Sequence, residues 1–142
     1  MRDRNRRTVK QLFQWLDAMD IESWVGAWAD NGVLVLPFAP EGFPKRIEGK
    51  AAIREYCKGI GESSRYMRFS DLEIHDMLDP ERFLVTYGAE IGLVHGGTYT
   101  NTYAVVFTMR GGQIAELCEY YDPIRVLRAF GGLLPGGAGA EA

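Results

Sequence analysis

The sequence predicts an α+β domain in which a curved antiparallel sheet wraps around N-terminal helices to form a cone, and three observations carry that prediction. Apolar residues recur at helical spacing through the N-terminal part of the chain. The period then drops to two, in four successive runs rich in β-branched and aromatic residues. Gly-Gly pairs separate the last of these runs at the spacing of hairpin turns. Helices followed by strands, rather than alternating with them, place the chain in the α+β class. A length of 142 residues suits one such domain, and 46% hydrophobic with 25% charged residues is the composition of an ordinary globular protein.

Each element has a local justification. Val9, Leu12, Phe13, Leu16 and Met19, with Trp15 widening the stripe, predict an amphipathic helix over 5–19. Asp20 is placed to cap a second, shorter helix that carries Ile21, Trp24, Val25 and Trp28 on one side. Asn31-Gly32 is a turn signal. Val33-Leu34-Val35-Leu36 then reads as a buried strand, interrupted by Pro37 and ended by the Pro/Gly-rich segment 39–45. A third helix over 51–58 presents Ile53, Tyr56 and Cys57, with Gly59 and Gly61 as its stop. Strands are expected near 68–77, 82–94, 98–109 and 113–121. His95-Gly96-Gly97 and Arg110-Gly111-Gly112 join the last three into an antiparallel meander. Asp122-Pro123 supplies a cap and a proline for the first position of a helix over 124–130, ended by Gly131-Gly132. The domain thus spans 1–134, and the segment 135–142, with almost nothing to bury, is expected to be disordered.

Several function classes are disfavoured. A net charge of -3 gives no general attraction to phosphate backbones. Arg2, Arg4, Arg6, Arg7 and Lys10 form a basic arm, but no nucleic-acid motif follows it, so a solvated helix start is favoured over a nucleic-acid contact. With no long apolar run and no signal-peptide pattern, no membrane partner is expected and the chain reads as cytoplasmic. Cys57 and Cys118 lack CxxC spacing and read as buried thiols. His75 and His95 are isolated, as a rim residue and a turn residue, and no metal site is expected. GxSxG, GxGxxG and the phosphate-cradling Gly-rich loop are missing, so no cofactor is indicated.

What remains is acid–base chemistry by carboxyl and phenol groups. In the last strand Ala115, Leu117, Glu119 and Tyr121 share one face, and Ile114, Glu116, Cys118 and Tyr120 the other; either could point inward. If the Glu119 face is inward, desolvation raises the carboxyl pKa towards the operating pH; if outward, Glu119 is an ordinary exposed strand residue. In the preceding strand Tyr99, Asn101, Tyr103, Val105, Phe107 and Met109 alternate onto one face, which would serve as a site wall or as packed core. The 12% aromatic share suits an apolar pocket. Candidate catalytic residues are Glu119, Tyr103 and Asn101, and candidate substrate-binding residues are Trp15, Trp24, Trp28, Phe38, Phe107, Leu117 and Tyr121.

Arg4-Asn5-Arg6-Arg7-Thr8-Val9, Asp79-Pro80-Glu81-Arg82-Phe83, Asn101-Thr102-Tyr103 and the block from Glu119-Tyr120-Tyr121-Asp122-Pro123 to Phe130-Gly131 resemble the phenazine-biosynthesis A/B proteins. That family lies in the nuclear transport factor 2-like superfamily, beside SnoaL-like polyketide cyclases and ketosteroid isomerases. The resemblance implies a cone-shaped α+β barrel, a homodimer, and a small-molecule cavity between sheet and helices in which Glu119 is the acid–base catalyst. Tyr103 aligns with an oxyanion donor of the ketosteroid isomerases. Leu36 stands where those enzymes carry a general-base aspartate and Leu12 near their oxyanion tyrosine, so their arrangement is not reproduced. The histidine expected in the phenazine-biosynthesis proteins has no secure counterpart, which weighs against an imine-forming condensation. The resulting expectation is a cofactor-independent enzyme of secondary metabolism that isomerises, cyclises or condenses a hydrophobic ring-bearing or polyketide-like molecule. A non-catalytic binding or dimerisation module and a pericyclic cyclase working by enclosure are the alternatives.

Overall fold

The computed structural model of the chain describes residues 1–131, and the expectation for 135–142 lies outside them. Helix α1 (Arg2–Asp17) buries Val9, Leu12 and Phe13. It starts before the predicted boundary, and the basic arm explains how: the Arg2 guanidinium donates to the Met77 carbonyl at 2.9 Å and Arg6 pairs with Asp76 at 2.9 Å. The arm is therefore a helical turn tied to the far end of a strand. Met19 turns the chain with φ of 56°, and Asp20 caps α2 (Ile21–Gly26) by accepting from the Ser23 amide at 3.1 Å.

Strand β1 (Trp28–Val35) begins earlier than predicted, so Trp28 heads a strand instead of closing a helix. Asn31-Gly32, a turn by its sequence, lies inside this strand where the register with its neighbour slips between Trp28 and Val33. The irregularity lets the Trp28 ring lie against Gly32, a position where a side chain would collide with it. Short β2 (Arg46–Glu48) hairpins onto β1 and is too brief to show a pattern of its own. Helix α3 (Lys50–Ser63) runs through both glycines expected to stop it. Gly61 has a packing role there: a Cβ would sit 3.2 Å from Cγ1 of Ile21 on α2.

Strands β3 (Ser64–Asp76), β4 (Arg82–Leu93), β5 (Thr98–Arg110) and β6 (Gln113–Tyr121) follow, then α4 (Pro123–Phe130). Gly111 and Gly112 adopt φ of 58° and 80° between paired Arg110 and Gln113, the left-handed turn that a two-residue hairpin requires. The six strands order as β2-β1-β6-β5-β4-β3. All neighbours are antiparallel except β1 and β6, which run parallel with Leu34 beside Leu117. Phe83, Val85, Val105, Phe107 and Leu117 of the sheet join Val9, Leu12, Phe13 and Ile53 of the helices in one core. The domain has the nuclear transport factor 2-like fold expected from the resemblance.

In Gly32→Ala the added Cβ lies 2.7 Å from Cε3 of the fully buried Trp28 and within 3.2 Å of two carbonyl oxygens, so neither ring nor backbone has room to yield. The expected loss is about 1–3 kcal/mol, read as a lower urea midpoint at unchanged m.

Candidate functional site

Which face of β6 is inward follows from its pairing with β5. Glu119 lies beside Val105 and Leu117 beside Phe107, and both partners are almost wholly buried, at 1% and 2% exposure. Glu119 therefore projects from the concave face, while Glu116, Cys118 and Tyr120 project from the outer one. One step along the same face Tyr103 pairs with Tyr87 of β4 on one side and Tyr121 on the other. The Tyr87 and Tyr103 rings stack at 5.1 Å and 13°, and Tyr121 meets Tyr103 edge-on at 5.9 Å.

Burial pushes the Glu119 carboxyl up to about 7, and the Tyr87 hydroxyl draws it part of the way back. Among the described residues no basic side chain forms an ion pair with Glu119. Tyr56 on α3, Tyr87, Tyr103 and Tyr121 are all raised, first by burial and then by the negative charge of Glu119. Glu119, Tyr56 and Tyr103 are deeply surrounded by protein yet keep part of their surface accessible, and Tyr121 beside Tyr103 is half-surrounded. These side chains line the hollow of the concave sheet face rather than the packed core. Two open surface grooves are lined by other side chains: one of about 670 Å³ between α1 and β3, by Lys10, Gln14 and His75, and one of about 550 Å³ between α4 and β5, by Tyr99 and Asp122 among others.

Asn101 does not face the hollow as a free group. Its amide, 4% exposed, donates to the Tyr99 hydroxyl at 2.8 Å and the Asp122 carbonyl at 3.0 Å. Its oxygen accepts from the Thr102 and Asp122 amides at 2.8 and 3.1 Å. Both N–H groups and both lone pairs are thus engaged within the protein. The Tyr99 and Tyr103 hydroxyls are 2.6 Å apart.

The expected aromatic walls divide. Trp24, Trp28, Phe107 and Leu117, at 8%, 0%, 2% and 4% exposure, are packed core. Trp28 buries its indole N–H without a partner, and the two indoles meet edge-on at 5.5 Å. Trp15 is half-buried against this core. Phe38 departs from the expectation: it is 54% exposed and lies against the outward-facing Tyr120, on the face of the sheet opposite the core. Residues not proposed from the sequence are Tyr56, Tyr87 and Tyr99. Tyr56 carried a signal in the apolar face of its helix, and Tyr87 in its alternation with Phe83 and Val85. Phe43, from the segment before β2, touches both apolar clusters and had no sequence signal. Among the described residues no three His, Cys, Asp or Glu side chains are placed to hold a metal ion.

The sequence pattern of the SnoaL-like domain matches residues 9–117. The chain belongs to the SnoaL-like family. The match covers most of the cone and stops two residues before Glu119. Among curated relatives of this SnoaL-like protein, the uncharacterized protein YesE of Bacillus subtilis is 32% identical over 88% of this chain and 86% of its own. An uncharacterized PhzA/B-like protein of Pseudomonas aeruginosa is 30% identical over 83% of this chain and 84% of its own. A crystal structure from Bacillus subtilis, named as a candidate isomerase, superimposes with a TM-score of 0.83 at 30% identity, covering 92% of this chain and 94% of that one.

A carboxyl whose pKa rises from 4.5 to about 7 on folding costs stability as it ionises. Between those values the folded state holds a proton that the unfolded state has released, so stability falls as pH climbs through the window and is level above it. Glu119→Gln removes this penalty. The variant is expected to gain up to about 3 kcal/mol over the parent at pH 8 and nearly nothing at pH 4.5, measured by urea denaturation at both values.

Proposed function

We propose that the chain is a cofactor-independent acid–base enzyme that isomerises or cyclises a hydrophobic, ring-bearing or polyketide-like ketone. The single observation behind this reading is Glu119, a desolvated carboxyl titrating near neutrality inside a hollow ringed by tyrosine hydroxyls. A base with its pKa near the operating pH is available in both protonation states, as proton shuttling requires. The Glu119 carboxylate takes the proton from the carbon next to the substrate carbonyl. The C–H pair moves into the enolate, and the Tyr103 hydroxyl donates a hydrogen bond to the enolate oxygen. The carboxylic acid so formed returns the proton at a second carbon, restoring Glu119. Tyr121, whose ring lies beside Tyr103, is the second candidate donor. The name of the isomerase candidate from Bacillus subtilis agrees with chemistry of this class.

A homodimer belongs to the same reading. The alternation that sends Glu119 inward leaves Val35, Val106, Cys118 and Tyr120 on the outer sheet face, with Phe38 against Tyr120, where a second copy would cover them. Light scattering is expected to give twice the 15.9 kDa chain mass. A monomer mass at micromolar concentration sinks this part alone.

With β-tetralone as a probe ketone, exchange of the hydrogens next to the carbonyl for solvent deuterium reads the proton-transfer step directly. Glu119→Gln is expected to slow enzyme-dependent exchange by about 10² to 10⁴-fold. In the parent the rate should rise with pH and level off above about 7, following the carboxylate form. Exchange unaffected by the substitution removes the catalytic role.

A further inference from the structure

The hydrogen bonds around Asn101 have a direction that can be worked out from which groups need satisfying. The amide orientation is settled by its surroundings. Its oxygen meets two backbone N–H groups, from Thr102 and Asp122, and its nitrogen meets the Asp122 carbonyl. Reversed, it would set donor against donor and acceptor against acceptor. The remaining N–H therefore points at the Tyr99 oxygen, which must accept it. Tyr99 has one hydrogen of its own. Its ring is packed with Leu93 and Val126 and lies 5.1 Å from Phe130, and among the described residues its oxygen has no hydrogen-bond partner besides Asn101 and Tyr103. The Tyr103 oxygen, 2.6 Å away, is its acceptor. If Tyr103 donated instead, the Tyr99 hydrogen would be buried without a partner.

We propose that Asn101 and Tyr99 are positioning residues that fix a one-way hydrogen-bond chain, Asn101 to Tyr99 to Tyr103, whose free end is the Tyr103 O–H offered to the ligand. The proposal rests on the acid–base reading for the nature of that ligand atom, a carbonyl or enolate oxygen. Each donated bond polarises the next hydroxyl, so Tyr103 is a stronger donor than an isolated phenol. With its oxygen already accepting from Tyr99, Tyr103 discriminates: it serves a ligand atom that accepts and disfavours a ligand hydroxyl that needs to donate there. The chain is also coupled to the last helix. The amide that starts it grips both the N–H and the carbonyl of Asp122, whose carboxylate caps α4 through the Ile124 amide at 2.9 Å. Burial raises both hydroxyls above the ordinary phenol value, so both keep their hydrogens at neutral pH.

The direction is tested on the unliganded parent protein by nuclear magnetic resonance. A hydroxyl proton held in a short buried bridge exchanges slowly with water and resonates far downfield. With carbon-13-labelled tyrosine, three-bond coupling links that proton to the Cε carbons of the ring that owns it. The expected result is a correlation to Tyr99, lost in Tyr99→Phe and in Tyr103→Phe and kept in Tyr121→Phe. Correlation to the Tyr103 carbons, or no bridging resonance in the parent, overturns the proposal. In the β-tetralone assay Tyr99→Phe, which leaves Tyr103 in place, is expected to lower kcat about tenfold with KM nearly unchanged, and an unchanged kcat overturns its positioning role. The spectrum reports on the chain whether or not Glu119 is catalytic, so failure of the acid–base reading, seen in Glu119→Gln, is distinguishable from failure of this one.

Discussion

An uncompensated carboxyl within a largely apolar cone is the constraint to which the rest of the site answers. Water would hold Glu119 ionised at its ordinary pKa. Placing it opposite Val105 and beside Leu117 removes that solvation and supplies no cation in return. A fully buried ion pair would have locked the charge in place and left the carboxyl a poor base. The tyrosines offer a middle course. Their hydroxyls provide dipoles without net charge, and burial keeps their own pKa values well above neutrality. Glu119 is then the group in the hollow whose charge changes near pH 7.

The fold supports this by dividing labour among its rings. Trp24, Trp28, Phe83 and Phe107 are packed in the core, and Glu119 and the tyrosine hydroxyls share the partly accessible concave face. The aromatic excess of the sequence thus has two uses. Tryptophan and phenylalanine mostly build core, and tyrosine mostly lines the hollow. Asn101 belongs to neither set. It satisfies the backbone at the β6–α4 corner, where strand hydrogen bonding runs out and a cap has only begun. A buried asparagine with every position filled is a structural clasp, and here the clasp ends on a tyrosine of the hollow.

Much of this was legible in the sequence, because each long strand alternates over enough residues to declare itself. The caps at Asp20 and Asp122 were visible as local chemistry. Four features were not. Gly59 and Gly61 look like a helix stop, but Gly61 is set by the approach of Ile21, a residue forty positions earlier in the sequence. Asn31-Gly32 looks like a turn, but the Trp28 ring takes up the space that a side chain would occupy. The face of Glu119 could not be decided from β6 alone, since both faces mix apolar residues with a glutamate. Only the register with Val105 decides it. The Asn101 network was invisible for a similar reason: alternation gives the direction of a side chain and says nothing of what satisfies it.

The parallel pairing of β1 with β6 has a consequence for assembly. The strand that carries Glu119 is the last in sequence, yet it lies in the interior of the sheet, joining the β2-β1 hairpin to the β5-β4-β3 meander. Until β6 inserts, the chain is two separate sheets with open edges, and closing them requires residues near the start to meet residues near the end. Such long-range closure is slow relative to hairpin formation. On a ribosome the cone cannot close before Tyr121 has emerged, so the acidic centre and the structural keystone are completed in the same late step. A chain that stops short of β6 lacks more than its glutamate; it lacks the seam that makes one sheet of two.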